Sequence, residues 1–354
     1  MTSDRPYRPY AMKALYFSQH GELDVLRFGD LPAPSPGPGE VAVEVRAAAL
    51  NHLDIWVRRG WPGLKLALPH VGGSDAAGVV AEIGEGVSGI APGTPVVVDP
   101  GVSTVEDEWT RRGLDSLSPG YQILGEHRPG TFAERIVVPA ANLLPIPAGV
   151  GFAEAAAPLL VGLTAWRMLV GAGEVCRGET VLIVGAGGGV NSFAIQIAKL
   201  LGATVIALTS TAEKMERAAE LGADHVLGYR DDPEWPRAVY KLTGRRGADV
   251  VVDNVGQATI QRSMRALAPG GRLLTVGNTS GYRAEIDLRY LFAKQIRWIG
   301  TTMGSHQDFR EVMGLVWSRK LRPVIDRVMP LGDGKEAVRI LEEGRQFGKV
   351  ILEP

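Results

Sequence analysis

Thr180 to Leu201 reads TVLIVGAGGGVNSFAIQIAKLL, and the fold turns on what that stretch can become. Val181 to Val184 is a β-branched and aliphatic run with no polar position, the texture of a parallel strand covered on both faces. It stops at Gly185, in a loop that also holds Gly187, Gly188 and Gly189. From Asn191 onward Ala194, Ile197, Ala198 and Leu201 recur every three or four residues, with Gln196 and Lys199 left for water, so a helix follows at once. Strand, glycine turn and helix in that order make a phosphate cradle. Residues without Cβ let a pyrophosphate approach the backbone, and the helix N-terminus offers unpaired N–H groups and the positive end of its dipole. Read as G-x-G-x-x-G from Gly185, the pattern ends on Val190; read from Ala186, it begins on alanine and ends on Asn191. The third glycine ordinarily lets helix and strand pack closely, so either frame predicts a slightly displaced helix.

Outward from this stretch the chain has two textures. From Met12 to about Pro139 short β-like runs (KALYF, VAVEVRAAAL, GVVAEIG, PVVVDP, AERIVVP) alternate with glycine and proline turns, which argues for an all-β barrel or sandwich. From Phe152 the stretch FAEAAAPLLVGLTAWRML is helical, and after the central strand TVIALT, HVLGY, DVVVDNV, RLLTVG and RWIGTTM alternate with helical segments. Six strand candidates with helices between them predict a doubly wound parallel sheet, giving an α/β fold overall. Two amphipathic helices and a last strand, KVILEP, follow from His306, and that strand is expected to return to the first domain. The domains are therefore set at 12–154, completed by 306–354, and at 155–305, with 1–11 as a disordered extension.

A chain of 354 residues suits two domains, and a net charge of −1 gives no reason to expect a nucleic acid or other polyanion as partner. The single cysteine, Cys176, excludes an intrachain disulfide and any multi-cysteine metal site, and is read as a bystander thiol. The N-terminus, MTSDRPYRPYAMK, has no apolar core of a signal segment. The longest apolar passage, Leu143 to Leu169, is interrupted by Pro145, Pro147, Glu154, Pro158 and Arg167, so no clean membrane span is expected and a cytoplasmic location is the default.

In a dinucleotide fold the second strand ends about 20 residues past the glycine loop, where a carboxylate would hold the ribose 2′-hydroxyl of NAD. That place reads Leu208, Thr209, Ser210, Thr211, with Lys214 and Arg217 on the next helix. A 2′-phosphate needs donors and positive charge, and a carboxylate would repel it. Ser210 and Lys214 therefore point to NADPH.

With these residues in hand the chain resembles the medium-chain dehydrogenase/reductase superfamily from about Met12 to Pro354, and is most similar to its zinc-free, quinone-oxidoreductase-like branch. The likeness rests on AAALNHLD, GGSDAAGVVAEIGEGV, GTFAERIVVPA, EAAAPLLVGLTAW, the glycine loop with AIQIAKLLGATVIA, and FGKVIL. The resemblance implies a GroES-like domain completed by the C-terminal tail, a Rossmann domain, and a cleft between them where nicotinamide meets a small-molecule substrate. It further implies that Thr164 lies beside the nicotinamide, Tyr229 near the 2′-phosphate, Asn254 and Gly277 along the cofactor, and Lys349 near the pyrophosphate. Pairing through the Rossmann domain into a homodimer is also implied.

Departures from the family pattern decide the chemistry. Where zinc-dependent relatives carry a cysteine, a histidine followed by glutamate, and a second cysteine around the catalytic metal, this chain has Asn51, Ser74 with Asp75, and Leu160. Three good ligands for a tetrahedral site are missing. The structural-zinc lobe, C-x2-C-x2-C-x7-C in relatives, is Thr104, Asp107, Thr110 and Ser118 here, and is expected to be held by packing of Trp109, Leu114 and Tyr121. His52, His70 and His127 have no partner at ligand spacing.

Hydride transfer leaves negative charge on the acceptor oxygen. Without a metal, fixed hydrogen-bond donors must stabilise it, at ~3 to 4 kcal/mol each when well aimed. Asn51 is the first choice and Thr164 the second, with Asp54 holding the turn around Asn51. Such modest help suits a conjugated acceptor, so the expected activity is zinc-independent reduction of quinones or α,β-unsaturated carbonyls by NADPH. Trp56 and Trp61 would wall a planar substrate, and the proton donor is left open between water and His52. Two alternatives stand beside this: a metal-free alcohol dehydrogenase or aldehyde reductase, and a non-catalytic NADPH-binding protein.

Overall fold

Val181 to Val184 are fully buried, for a geometric reason. Side chains alternate across a strand: Val181 and Ile183 enter one core, Leu182 and Val184 another on the opposite face. The neighbours repeat this. Val205, Ala207, Val250 and Val252 face the first core, and Ile206, Leu208 and Val251 the second. Strands covered twice need no polar face, hence their unbroken apolar sequences. They belong to a six-stranded parallel sheet in the order His225–Gly228, Thr204–Thr209, Thr180–Val184, Ala248–Asp253, Leu267–Thr275, Arg297–Gly300. The order reverses between Thr180–Val184 and Ala248–Asp253, which opens a crevice at their C-terminal ends.

The computed structural model describes residues 11–230 and 232–354. The extension expected over 1–11 lies outside the described residues except for Ala11, which already opens the first strand, Ala11–Phe17. The expected N-terminal strands form the GroES-like β domain. Its seven-stranded sheet runs Leu143–Pro145, Pro95–Val98, Asp75–Ile83, Glu40–Ala49, Lys349–Glu353, Ile325–Pro330, with Arg135–Pro139 also on Glu40–Ala49. The C-terminal strand thus returns to the first domain, Ile351 and Leu352 pairing with Ala49 and Ala48. Its register carries Lys349 to the floor of the crevice.

Phe152–Ala172 has the length and hydropathy of a membrane span, but 72 % of its 18-residue apolar window is buried inside the protein. Leu159, Leu163 and Met168 join the first core of the parallel sheet to Ala47, Ala49 and Ala77 of the β domain, so this segment is the seam between the two.

The lobe from Thr104 to Ser118 departs from expectation. Tyr121 does pack on the seam, but Trp109 is only half-buried, beneath the Arg112 guanidinium at 5.3 Å. Hydrogen bonds through Asp107 hold the turn instead. Its carboxylate accepts from the backbone N–H of Trp109 and Thr110 (2.9 and 3.0 Å) and from Ser118 Oγ (2.7 Å), while Thr110 Oγ1 accepts from Asp107 N–H (2.9 Å). Three of the four positions that carry cysteine in zinc-containing relatives are thus joined to one another without metal. These bonds hold the Asp107 carboxyl below the usual carboxylate range. Asp107→Ala should speed amide exchange at Trp109 and Thr110 roughly tenfold, leaving exchange in the parallel sheet unchanged.

Candidate active site

The crevice becomes a site because the glycine loop leaves it bare. Gly185 takes a left-handed φ of 80°, and the helix Gly189–Leu200 starts with no side chain capping its N–H groups. A Cβ on Gly189 would stand 2.9 Å from Lys349 Cδ and 3.0 Å from Val161 Cγ1, so the helix start fits closely under both chains only as glycine. Asn191, where the fingerprint lacks its last glycine, is not an idle substitution. Its amide donates to the carbonyls of Val184 and Gly185 (2.7 and 2.9 Å) and its Oδ1 accepts from Asn254 Nδ2 (2.9 Å). Asn254 Oδ1 in turn accepts from Val276 N–H (2.9 Å), so an amide ladder binds three strand ends along the cradle. An isolated polar residue on an otherwise apolar helix face was the sequence signal for this.

Facing the loop, a buried ionic cluster forms the floor. Lys349 Nζ donates to Asn51 Oδ1 (2.5 Å), Leu50 O (2.6 Å) and Asp75 Oδ2 (3.1 Å). Asn51 Nδ2 donates to Asp75 Oδ2 (2.9 Å) and Ala49 O (3.4 Å), and Leu160 N–H donates to Asp75 Oδ1 (2.9 Å). Asp54 Oδ2 accepts from Asn51 N–H (2.7 Å), closing the turn as expected. Burial pushes Asp54 up to about 7 and raises Asp75, which Lys349 and Asn51 counteract. Burial, aided by Lys349, pushes His52 down to about 4, so its ring is neutral at physiological pH.

A cavity of about 420 Å³ lies between these two walls. The structure brings Asn51, His52, Trp56 and Thr164 to it. Gly185, Gly187, Gly188, Gly189, Val190, Asn254, Gly277 and Lys349 line it too, as do Ser210, Lys214 and Tyr229. Two expectations change. Trp61 lies off the cavity, because Gly60 at φ 75° ends the helix His52–Arg59 and turns the chain outward, leaving Trp61 exposed. Asn51 lines the cavity, but its amide hydrogens already serve Asp75 and Ala49. Arg217 is likewise engaged, with Asp326 at 3.4 Å and over the Phe347 ring at 4.5 Å. Sequence reasoning missed Glu126, Arg230 and Gln346, which also line the cavity and belong to loops without periodicity.

Two buried polar atoms on the cavity have no hydrogen-bond partner among the described residues, Thr164 Oγ1 and Gln346 Oε1. With the bare loop and uncapped helix they fit a dinucleotide. Zinc does not fit. Ser74 Oγ donates to Leu124 O (2.8 Å), Asn51 is used as above, and Leu160 has no donor atom. Among the described residues no three His, Cys, Asp or Glu side chains converge. Fold and cleft together define an oxidoreductase that uses a nicotinamide dinucleotide.

Comparison with known proteins agrees. The family models "Alcohol dehydrogenase GroES-like domain" and "Zinc-binding dehydrogenase" match residues 37–148 and 189–318. A zinc-type alcohol dehydrogenase-like protein of Schizosaccharomyces pombe is 32% identical over 96% of this chain and 99% of its own. A crotonyl-CoA reductase of Streptomyces avermitilis is 33% identical over 92% and 81%. Among solved structures, an NAD-dependent alcohol dehydrogenase matches with TM-score 0.93 at 47% identity, over 97% of this chain and 100% of that one. The crotonyl-CoA carboxylase/reductase AntE in complex with NADP matches with TM-score 0.88 at 27% identity, over 100% and 97%. The chain belongs to the medium-chain dehydrogenase/reductase superfamily.

Proposed function

We propose that the protein is a zinc-independent, NADPH-dependent reductase of quinones or α,β-unsaturated carbonyls. The observation that carries this reading is the occupation of the metal-ligand positions. Asn51 and Ser74 are committed to protein hydrogen bonds and Leu160 is aliphatic, so charge on the acceptor must be met by donors of this chain. When bound, the reduced nicotinamide supplies a hydride to an electrophilic carbon. Thr164, with its free buried hydroxyl, takes the donor role first expected of Asn51, which instead positions the floor through Asp75 and Lys349. Trp56 offers a flat apolar wall to a conjugated acceptor. Ser210, Lys214, Tyr229 and the adjacent Arg230 gather hydroxyls and positive charge where a 2′-phosphate belongs, and the NADP-bound relative supports this. The crotonyl-CoA reductase relative supports reduction of a conjugated carbonyl.

The resemblance to alcohol dehydrogenases favours one second reading, reduction of aldehydes in the same cleft. Rates with NADPH on a panel of enones, quinones, aldehydes and primary alcohols separate the two, and turnover confined to aldehydes and alcohols rejects the first. Full activity in metal-stripped protein is expected. Loss of activity on chelation, restored by zinc, would refute zinc independence.

A homodimer in the cytoplasm completes the proposal. Among the described residues the strand Arg297–Gly300 ends the parallel sheet with an unpaired outer edge, and Trp298, Leu288 and Phe292 near it are exposed apolar side chains. Trp298→Arg should convert a dimer to a monomer in sedimentation experiments. A wild-type monomer at micromolar concentration would refute this part.

A further inference from the structure

Reduction of any carbonyl-derived acceptor requires a proton as well as a hydride, and the residues named so far do not supply one. His52 is on the cavity, but with its ring pushed down to about 4 it holds no acidic proton to give near neutral pH. Asp54 and Asp75 lie beneath the floor, bonded to Asn51 and Lys349. Lys349 uses its three hydrogens on protein acceptors. Glu126 differs from all of these. It lines the cavity from the loop after the strand Tyr121–Ile123, and its side chain is only 14% exposed.

The loop holds Glu126 in place. Ser74 Oγ bonds Leu124 O (2.8 Å), His70 Nε2 bonds Gly125 O (3.0 Å), and the backbone N–H of Glu126 donates to Ile123 O (3.2 Å). His127 adds a specific orientation. Its Nδ1 accepts from Ile123 N–H (3.2 Å), so the proton of the neutral ring is on Nε2, which lies 3.6 Å from Glu126 Oε1. His127 is itself solvent-exposed, at 43% of its side chain.

We propose that Glu126 is the proton donor to the reduced acceptor and that His127 holds the carboxylate left behind. Resting on the reductase reading above, the step balances as follows. The acceptor gains a hydride from the reduced nicotinamide and becomes an enolate, hydroquinone anion or alkoxide. The Glu126 O–H bond breaks, its electron pair stays on the carboxylate, and a new O–H or C–H bond forms on the acceptor. The His127 Nε2–H then faces a full negative charge, and solvent at the rim returns the proton. Burial raises the Glu126 carboxyl above its ordinary range, with His127 opposing, so the acid form persists to higher pH than in an exposed glutamate. The titratable group facing it is His127 on its own loop, and His70 bonds the carbonyl of the adjacent Gly125.

Glu126→Gln keeps size and removes the acidic proton. On whichever acceptor the wild type reduces best, kcat should fall by roughly 10² to 10⁴-fold, while the Kd for NADPH, read by fluorescence, changes less than about twofold. The wild-type kcat should decline as pH rises through the raised Glu126 pKa, and that limb should vanish in Glu126→Gln and persist in Glu126→Asp. His127→Phe should shift the limb to higher pH. Wild-type kcat and an unaltered pH limb in Glu126→Gln would overturn the assignment. Turnover of aldehydes alone would defeat the enone and quinone reading while the same comparison still decides the role of Glu126. No turnover of any acceptor would overturn both.

Discussion

Lys349→Met should lower folding stability by about 3–5 kcal/mol at neutral pH, because it leaves the carboxylate of Asp75 buried without its cation. The pair lies 3.1 Å apart with both side chains almost wholly excluded from solvent. Loss of the ammonium also removes bonds to Leu50 and Asn51, so the turn that positions the substrate wall should loosen and kcat should fall with stability. The pH dependence identifies the cause. Burial already raises Asp75 above its ordinary value, and without Lys349 it must rise further. A carboxyl whose folded pKa is raised contributes stability that is fully present below its unfolded pKa and is lost as pH rises through the folded one. The deficit of Lys349→Met relative to wild type should therefore shrink toward acid pH and grow toward alkaline pH. Adding Asp75→Asn to Lys349→Met should recover most of the loss at pH 8, because the uncompensated charge is gone. Urea unfolding across pH measures all three proteins. A single variant within 1 kcal/mol of wild type at pH 8 would mean the cluster is not held by this charge pair.

Why this cluster was partly illegible in the sequence is a matter of distance along the chain. The strands of the parallel sheet announce themselves because burial on both faces leaves consecutive apolar residues, a local signature. The cradle does so because glycine is required wherever backbone must be approached. Asn51, by contrast, looks like a free amide at a former ligand position. Only the folded chain shows that its donor and acceptor are used, by Asp75 at 24 residues' separation and Lys349 at 298 respectively. The lobe around Asp107 shows a similar limit. The absence of thiolates is plain in its sequence, but that Asp107 rather than Trp109 holds the turn depends on Ser118 coming back to it from 11 residues away. Trp61 follows from one backbone angle at Gly60 that its sequence permits without dictating.

Lys214 permits the sharpest functional test because its two roles give different results. Its ammonium donates to Gly344 O (2.7 Å), which ties the helix Ala212–Glu220 to the C-terminal segment, and it lines the cavity along with Ser210, Tyr229 and Arg230. One bond to Gly344 leaves two N–H donors for a phosphate. A hydrogen bond between charged groups is worth about 1.5–3 kcal/mol, so Lys214→Ala should raise the KM for NADPH about 10- to 100-fold. NADH has only a neutral hydroxyl at that place, and its KM should change less than about threefold. If Lys214 served only to tether Gly344, both constants would rise together, and the NADPH assignment would fail. The pH dependence adds an independent check. Partial burial lowers the Lys214 pKa, so the preference for NADPH over NADH should weaken as pH rises toward that lowered value, and the variant should lack this trend. Arg230 is expected to retain part of the preference in the variant, so Lys214→Ala combined with Arg230→Ala should bring the two cofactors to nearly equal KM.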